Sequence, residues 1–343
     1  VPTLSGVQTA GRKAATQSLL TGLNQAAASF ELDTRRQPGY FAMSSVGAET
    51  NWDDGGPGLT ALENAMLDLA GVGAVSTTEP DDPNNWVVVN PTSPTNDASG
   101  SAIWVKTDLM GSDEGNYFLP GAGALVHMTT DQQPGDITAA AAPKPGLPDL
   151  VDPFGQPVLA WIEDPSVSTT VSGSHDFVAP ANDEHPSRFY WTANGSMLSS
   201  ESLGERGASM ILEPGKGGSL IGKAAFDEGH EQIEGVMAAL LGHPGYPDEA
   251  TLRGGNGYDD VFPKQARGGF IAHSAGPDGV YLAGDDDRAG RVLTADMLSS
   301  GTLDVRYGIN FFAGPGGPRR TGENGQPVTA DFLDGFDDIV VSE

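Results

Sequence analysis

Carboxylates dominate the chemistry open to this 343-residue chain: 46 Asp+Glu stand against 18 Lys+Arg and 6 His, with no Cys. The lack of Cys excludes a disulfide framework, a thiolate-held zinc or iron–sulfur site, and a cysteine nucleophile. Motifs that look like nucleotide or metal machinery fall short at a key position. Gly217-Gly218-Ser219-Leu220-Ile221-Gly222-Lys223-Ala224 has the glycines and Lys of a phosphate loop, but Ala224 stands where a Ser/Thr would hold Mg²⁺. His230-Glu231-Gln232-Ile233-Glu234 lacks the second His of a zinc-protease helix. The histidines at 127, 175, 185, 230, 243 and 273 show no paired ligand spacing and read as surface or capping residues. Ser196 and Ser219 have Gly neighbours, yet neither lies in a nucleophile elbow. No carboxylate pair is singled out by its position, so nothing positive supports a hydrolase, and the chain reads as a non-enzyme. Acidic residues do gather in two Gly-rich stretches, Asp278 with Asp285 and Asp286, and Asp337 with Asp338. Neither has the spacing of an EF-hand, and such turns are commonly solvated and supported by Asx-turns.

The formal charge of −28 argues against nucleic acid, whose phosphates need clustered Lys/Arg, and against an anionic membrane surface. An acidic, Lys-poor surface suits salty or calcium-rich surroundings, or serves solubility. Gly and Pro, at 47 and 25 residues, predict a loop-rich fold, while clusters such as Trp86-Val87-Val88-Val89 and Phe189-Tyr190-Trp191 predict a real core. No run of 18 apolar residues is present. Starting at Val1-Pro2, without a start Met or signal peptide, the sequence reads as a mature or trimmed product.

Few elements need positioning. Residues 3–32 contain no Pro, and Leu19, Leu23, Ala26, Ala27 and Phe30 form a helical stripe, whereas Leu4, Val7, Ala10, Ala14 and Ala15 are only weakly amphipathic. One end of this helix is expected to pack on a body while the other projects. A second helix is expected through Leu59, Leu62, Met66 and Leu69, capped by Gly71, and a third over Glu228–Leu241. Candidate strands are Trp86–Val89, Ala102–Lys106, Asn116–Leu119, Ala124–Met128, Val158–Ile162, Arg188–Thr192, Phe270–Ser274 and Ile339–Val341. The Pro- and Ala-rich stretch 132–157 reads as a connection. Helices first and strands afterwards predict an α+β fold. Asn194-Gly195-Ser196 is a formal glycosylation sequon.

Three segments carry a resemblance. Val1-Pro2-Thr3-Leu4-Ser5-Gly6-Val7 followed by Ala10-Gly11-Arg12-Lys13-Ala14 is one. Asp152-Pro153-Phe154-Gly155-Gln156-Pro157, leading into Val158-Leu159-Ala160-Trp161, is the second; as chemistry it is a tight turn feeding a strand. The third is Ser274-Ala275-Gly276-Pro277-Asp278-Gly279, continuing through Gly284-Asp285-Asp286-Asp287. In this order they resemble the type IV pilin-like proteins, and within them the major pseudopilin of type II secretion systems. The resemblance implies a long N-terminal helix on an antiparallel sheet, with a membrane-spanning half upstream of Val1. It implies a head over 33–343, with insertions at about 72–145 and 165–265 and an acidic loop region at 270–343.

The resemblance also implies function. The chain would be a structural subunit of an extracellular or periplasmic pilus or pseudopilus, anchored in the inner membrane before assembly. It would polymerise with itself and with other pilin-like subunits through a helix whose apolar positions are Leu4, Val7, Leu19, Leu23 and Phe30. It implies calcium in the C-terminal loop, held either by Asp278 with Asp285 and Asp286 or by Asp278 with Asp337 and Asp338, 59 residues further on. The chain exceeds twice the length of that family, and only about 80 residues carry the likeness. A secreted or surface-displayed module binding glycan or protein is the alternative, and an extracellular hydrolase ranks behind it.

Overall fold

The computed structural model describes residues 2–46, 59–70, 73–89, 102–110, 116–126, 147–164, 167, 171, 173–180, 186–198, 219–221, 230–248, 261–283, 286, 307–308, 320–321, 327–329 and 331–342. Helix α1 spans Pro2–Thr34. It contains no Pro after its first residue, and Thr21 and Ser29 return their hydroxyls to the carbonyls of Gln17 and Gln25 at 2.7 and 2.8 Å. It stops where Arg35 adopts φ 63°. Arg36 then forms a two-pronged pair with Asp68 at 2.6 and 2.8 Å, tying the end of α1 to helix α2 (Ala61–Leu69). Thr60 and Glu63 close a capping box on α2, and all but one of its residues are buried. Helix α3 spans His230–Leu241.

The central sheet has three antiparallel strands in the order β12 (Ile339–Ser342), β9 (Phe270–Ser274), β6 (Leu159–Ile162). Strand alternation sends residues to opposite faces. Ala160, Ile162, Phe270, Ala272 and Ile339 face one core, made with Leu20, Leu23, Ala26, Ala27 and Phe30 of α1 and nearly all of α2. Leu159, Trp161 and Ile271 face a second core, made with α3 and with Phe177, Phe189, Trp191, Met197 and Ile221. β9 is therefore buried at every position, and the sheet lies between two helical layers. At about 25 cal/mol per Å² of apolar surface, each face holds its layer chiefly by burial.

Smaller sheets flank this centre. β1 (Val75–Ser76), β3 (Ile103–Lys106) and β2 (Trp86–Val89) form one in that order, and its inward residues Val87, Val89, Ile103 and Val105 join the α1 core. β4 (Leu125–Val126) pairs with β5 (Asp149–Leu150), and β10 (Arg320–Thr321) with β11 (Pro327–Val328). β7 (Val178–Ala179) and β8 (Phe189–Tyr190) run parallel.

The architecture is thus helix plus largely antiparallel sheet, with an N-terminal helix on the sheet. Three expectations need correction. Residues 116–119 form no strand: Tyr117 N–H bonds Leu69 O at 3.2 Å, its hydroxyl reaches Asp33 at 3.1 Å, and Phe118 fills the space beside Gly22. The expected strand 188–192 is extended only at β8, and Trp191–Asn194 coils into a 3-10 turn. The sequon is sequestered, because Asn194 is wholly buried and donates to Ala160 O at 2.7 Å. Gly71, proposed as a cap, lies outside the described residues.

Candidate functional site

Two of the singled-out motifs meet at the end of β9. Asp152 folds the turn onto itself: its Oδ1 accepts from Phe154 N–H at 2.8 Å and Gln156 N–H at 3.0 Å. Gly155, at φ 87°, supplies the left-handed position that turn needs. The other oxygen, Oδ2, accepts from the Ser274 hydroxyl, which in turn accepts from Gly276 N–H at 3.1 Å. Asp152 is buried, and that burial raises its pKa against four lowering hydrogen bonds. One carboxylate therefore joins the 152–157 turn to the 274–279 loop. From sequence this segment is a tight Pro/Gly turn with no separate role for Asp152, whose Asx position ahead of Pro153 is the signal for one.

Beyond that junction, Asp278, Asp286 and Asp337 each bring a carboxylate oxygen within 4.8 Å of the others. Each is placed by its own backbone. Asp278 Oδ1 accepts from Val280 N–H at 2.8 Å, closing a one-turn 3-10 helix that ends at Gly279, φ 76°. Asp286 Oδ2 accepts from Asp337 N–H at 3.0 Å and so bridges loop and strand. Asp337 Oδ1 is buried and accepts no hydrogen bond among the described residues. Gly276, at φ 70°, makes the close approach possible: a Cβ there would stand 2.5 Å from Asp337 O. Desolvation, then the charges of Asp278, Asp286 and Asp338, push the Asp337 carboxyl up to about 7, with Lys13 pulling the other way. Hard oxygens gathered around a partly buried point are what a divalent cation of the calcium type takes as ligands.

Asp338, the residue before β12, turns away from this cluster. Its Oδ2 lies 2.6 Å from His273 Nε2, and both oxygens stand 3.0 Å from Leu282 N–H. Trp161 Nε1 donates to His273 Nδ1 at 3.4 Å, which leaves the ring proton on Nε2, facing Asp338. The His273 and Asp338 side chains are 0% and 1% exposed. His273 is therefore an interior residue, not the surface or capping residue expected; His243, which accepts from Gly245 N–H at 2.9 Å, does cap a turn.

The two ligand sets weighed from sequence are thus mixed in space: Asp286 from one and Asp337 from the other join Asp278, while Asp338 engages His273. Asp285 lies outside the described residues.

On α1, residues 5–15 are all exposed, Val7 at 69%, whereas Leu23 and Phe30 are buried in the chain's own core and Leu19 packs against it. The side chain of Leu4 lies outside the described residues. Arg12 stands 6.0 Å over the Phe154 ring, so the helix leaves the body beside the Asp152 turn. Among the described residues, no helix is long and apolar enough to cross a membrane. The chain matches no protein-family model, no curated protein and no solved structure.

Proposed function

We propose that this chain is a pilin-like structural subunit, assembling through its N-terminal helix into an extracellular or periplasmic filament of the pilus or pseudopilus type. The observation that carries this reading is the division of α1. One face of its C-terminal half is buried against an antiparallel sheet, and the side chains of residues 5–15 are exposed, Val7 among them. A helix of that kind presents a surface for other copies, and head-to-tail repetition of one such contact yields an open fibre.

Within this reading, calcium bound by Asp278, Asp286 and Asp337 ties residues 278 and 286 to the segment that leads into β12. It would offset the mutual repulsion of three carboxylates and give the buried Asp337 Oδ1 a partner. The meeting of the 152–157 turn with the 274–279 loop through Asp152 and Ser274 supports the same reading, because both segments carry the family resemblance.

Immunogold electron microscopy of the producing cells tests the proposal. Antibody against the head should decorate filaments along their length. Label on dispersed protein alone would refute it.

A further inference from the structure

The charge of this chain is unevenly placed. Residues 1–30 hold Arg12 and Lys13 and no acid, so the net −28 divides into +2 on this segment and −30 on the remainder. Among the described residues, five of the head's sixteen Lys and Arg are held within their own chain. Arg36 pairs with Asp68, Lys106 with Asp108, Arg188 with Glu163, Lys264 with Asp248 and Arg267 with Asp331, at 2.6 to 3.9 Å. Cations so held contribute little toward neutralising a neighbouring molecule. Arg12 and Lys13 lie on the exposed part of α1, Arg12 over the Phe154 ring and Lys13 near enough to act on the Asp337 carboxyl.

We infer that copies of this chain associate only when mobile cations screen their heads, so that assembly strengthens as ionic strength rises. This inference rests on the filament reading above. Two heads brought together present mostly carboxylates to carboxylates, because residues 31–343 hold 46 acids against 16 Lys and Arg. Like charges about 10 Å apart in unscreened water oppose association by a factor of about two per pair, so three or four facing pairs amount to about tenfold. The Debye length is about 30 Å at 0.01 M salt and about 3 Å at 1 M, so this opposition disappears across that range. An interface built on complementary charges would respond with the opposite sign. Arg12 and Lys13, beside Phe154 and Asp337 of their own chain, offset two negative charges and so lower the salt that assembly needs.

The test uses filaments isolated from the producing cells. They are dialysed against NaCl from about 10 mM to about 1 M at fixed free calcium, and the soluble subunit coexisting with filament is measured by sedimentation. The soluble concentration should be about tenfold higher at the low-salt end. A flat profile, or filaments that dissolve as salt rises, would overturn the inference and leave the filament reading standing. The double substitution Arg12→Gln, Lys13→Gln should move the salt midpoint upward; an unchanged midpoint removes that role from these two cations. Absence of filaments at every salt concentration sinks the filament reading, and this inference with it. The salt series on the unaltered protein stands without the variant.

Discussion

Replacing Asp337 by Asn should stabilise the calcium-free protein at neutral and alkaline pH, and should make it less responsive to calcium. In the folded chain its carboxyl is pushed up to about 7, above the ordinary value of 3.8, first by desolvation and then by Asp278, Asp286 and Asp338. A raised carboxyl pKa means that the folded state holds a proton the unfolded state has released. Stability therefore falls as pH rises from about 4 to about 7, and the loss is complete above that. Three pKa units correspond to about 4 kcal/mol, but the group is about half exposed, and screening by water brings the working figure to about 2 kcal/mol.

The assay is urea unfolding in chelator at pH 5 and pH 8, for the wild type and Asp337→Asn. The variant should gain about 2 kcal/mol at pH 8 and well under half of that at pH 5. In calcium the order reverses. The wild type gains about 2.7 kcal/mol at a hundredfold excess over Kd, and the variant loses most of that gain with a ligand removed. A variant less stable than wild type in chelator at pH 8 would refute the claim that these three carboxylates strain one another. Equal stabilisation of both proteins by calcium would remove Asp337 from the site.

Other perturbations reach different parts of the account. Chelator should lower the melting temperature of the wild type by several degrees and added calcium restore it, while Asp278→Ala should blunt this response; calorimetry reads both. Asp152→Ala breaks the junction between turn and loop and leaves buried donors unpaired, so unfolding free energy should drop by about 3 kcal/mol in urea titration. His273→Leu strands the buried Asp338 carboxylate and should cost about 3 to 5 kcal/mol, with partial recovery in the double variant His273→Leu, Asp338→Asn. Arg36→Ala removes a pair whose Arg side chain is 46% exposed, and should cost no more than about 1 kcal/mol.

Local elements were legible in the residues, because local chemistry makes them. Phe270–Ser274 and Trp86–Val89 are strands at the expected bounds, and α3 begins two residues inside its expected range. The stripe from Leu19 to Phe30 correctly marked the docked face of α1. The same apolar periodicity serves docking or assembly, and only the body decides which. Pairing was not legible. β9 takes β6 from more than a hundred residues earlier and β12 from near the C-terminus, with no short turn to announce either partner. The second helical layer was invisible for the same reason: nothing local says that Phe177, Phe189, Trp191 and helix α3 cover a sheet.

The acidic site shows the limit most clearly. Spacing along the chain offered Asp285–Asp286 or Asp337–Asp338 as companions for Asp278. The structure takes one residue from each, because Asp286 Oδ2 caps the backbone N–H of Asp337. Asp337 and Asp338 turn apart just before β12, Asp337 joining the cluster and Asp338 engaging His273.

The central claim is that this chain is a processed, pilin-like filament subunit, and mass spectrometry of the native N-terminus from the producing cells tests it most directly. The expected result is a native N-terminus roughly one membrane-spanning helix, about 20 apolar residues, upstream of Val1. A native start at Val1, or a conventional signal-peptide cut there, would contradict it.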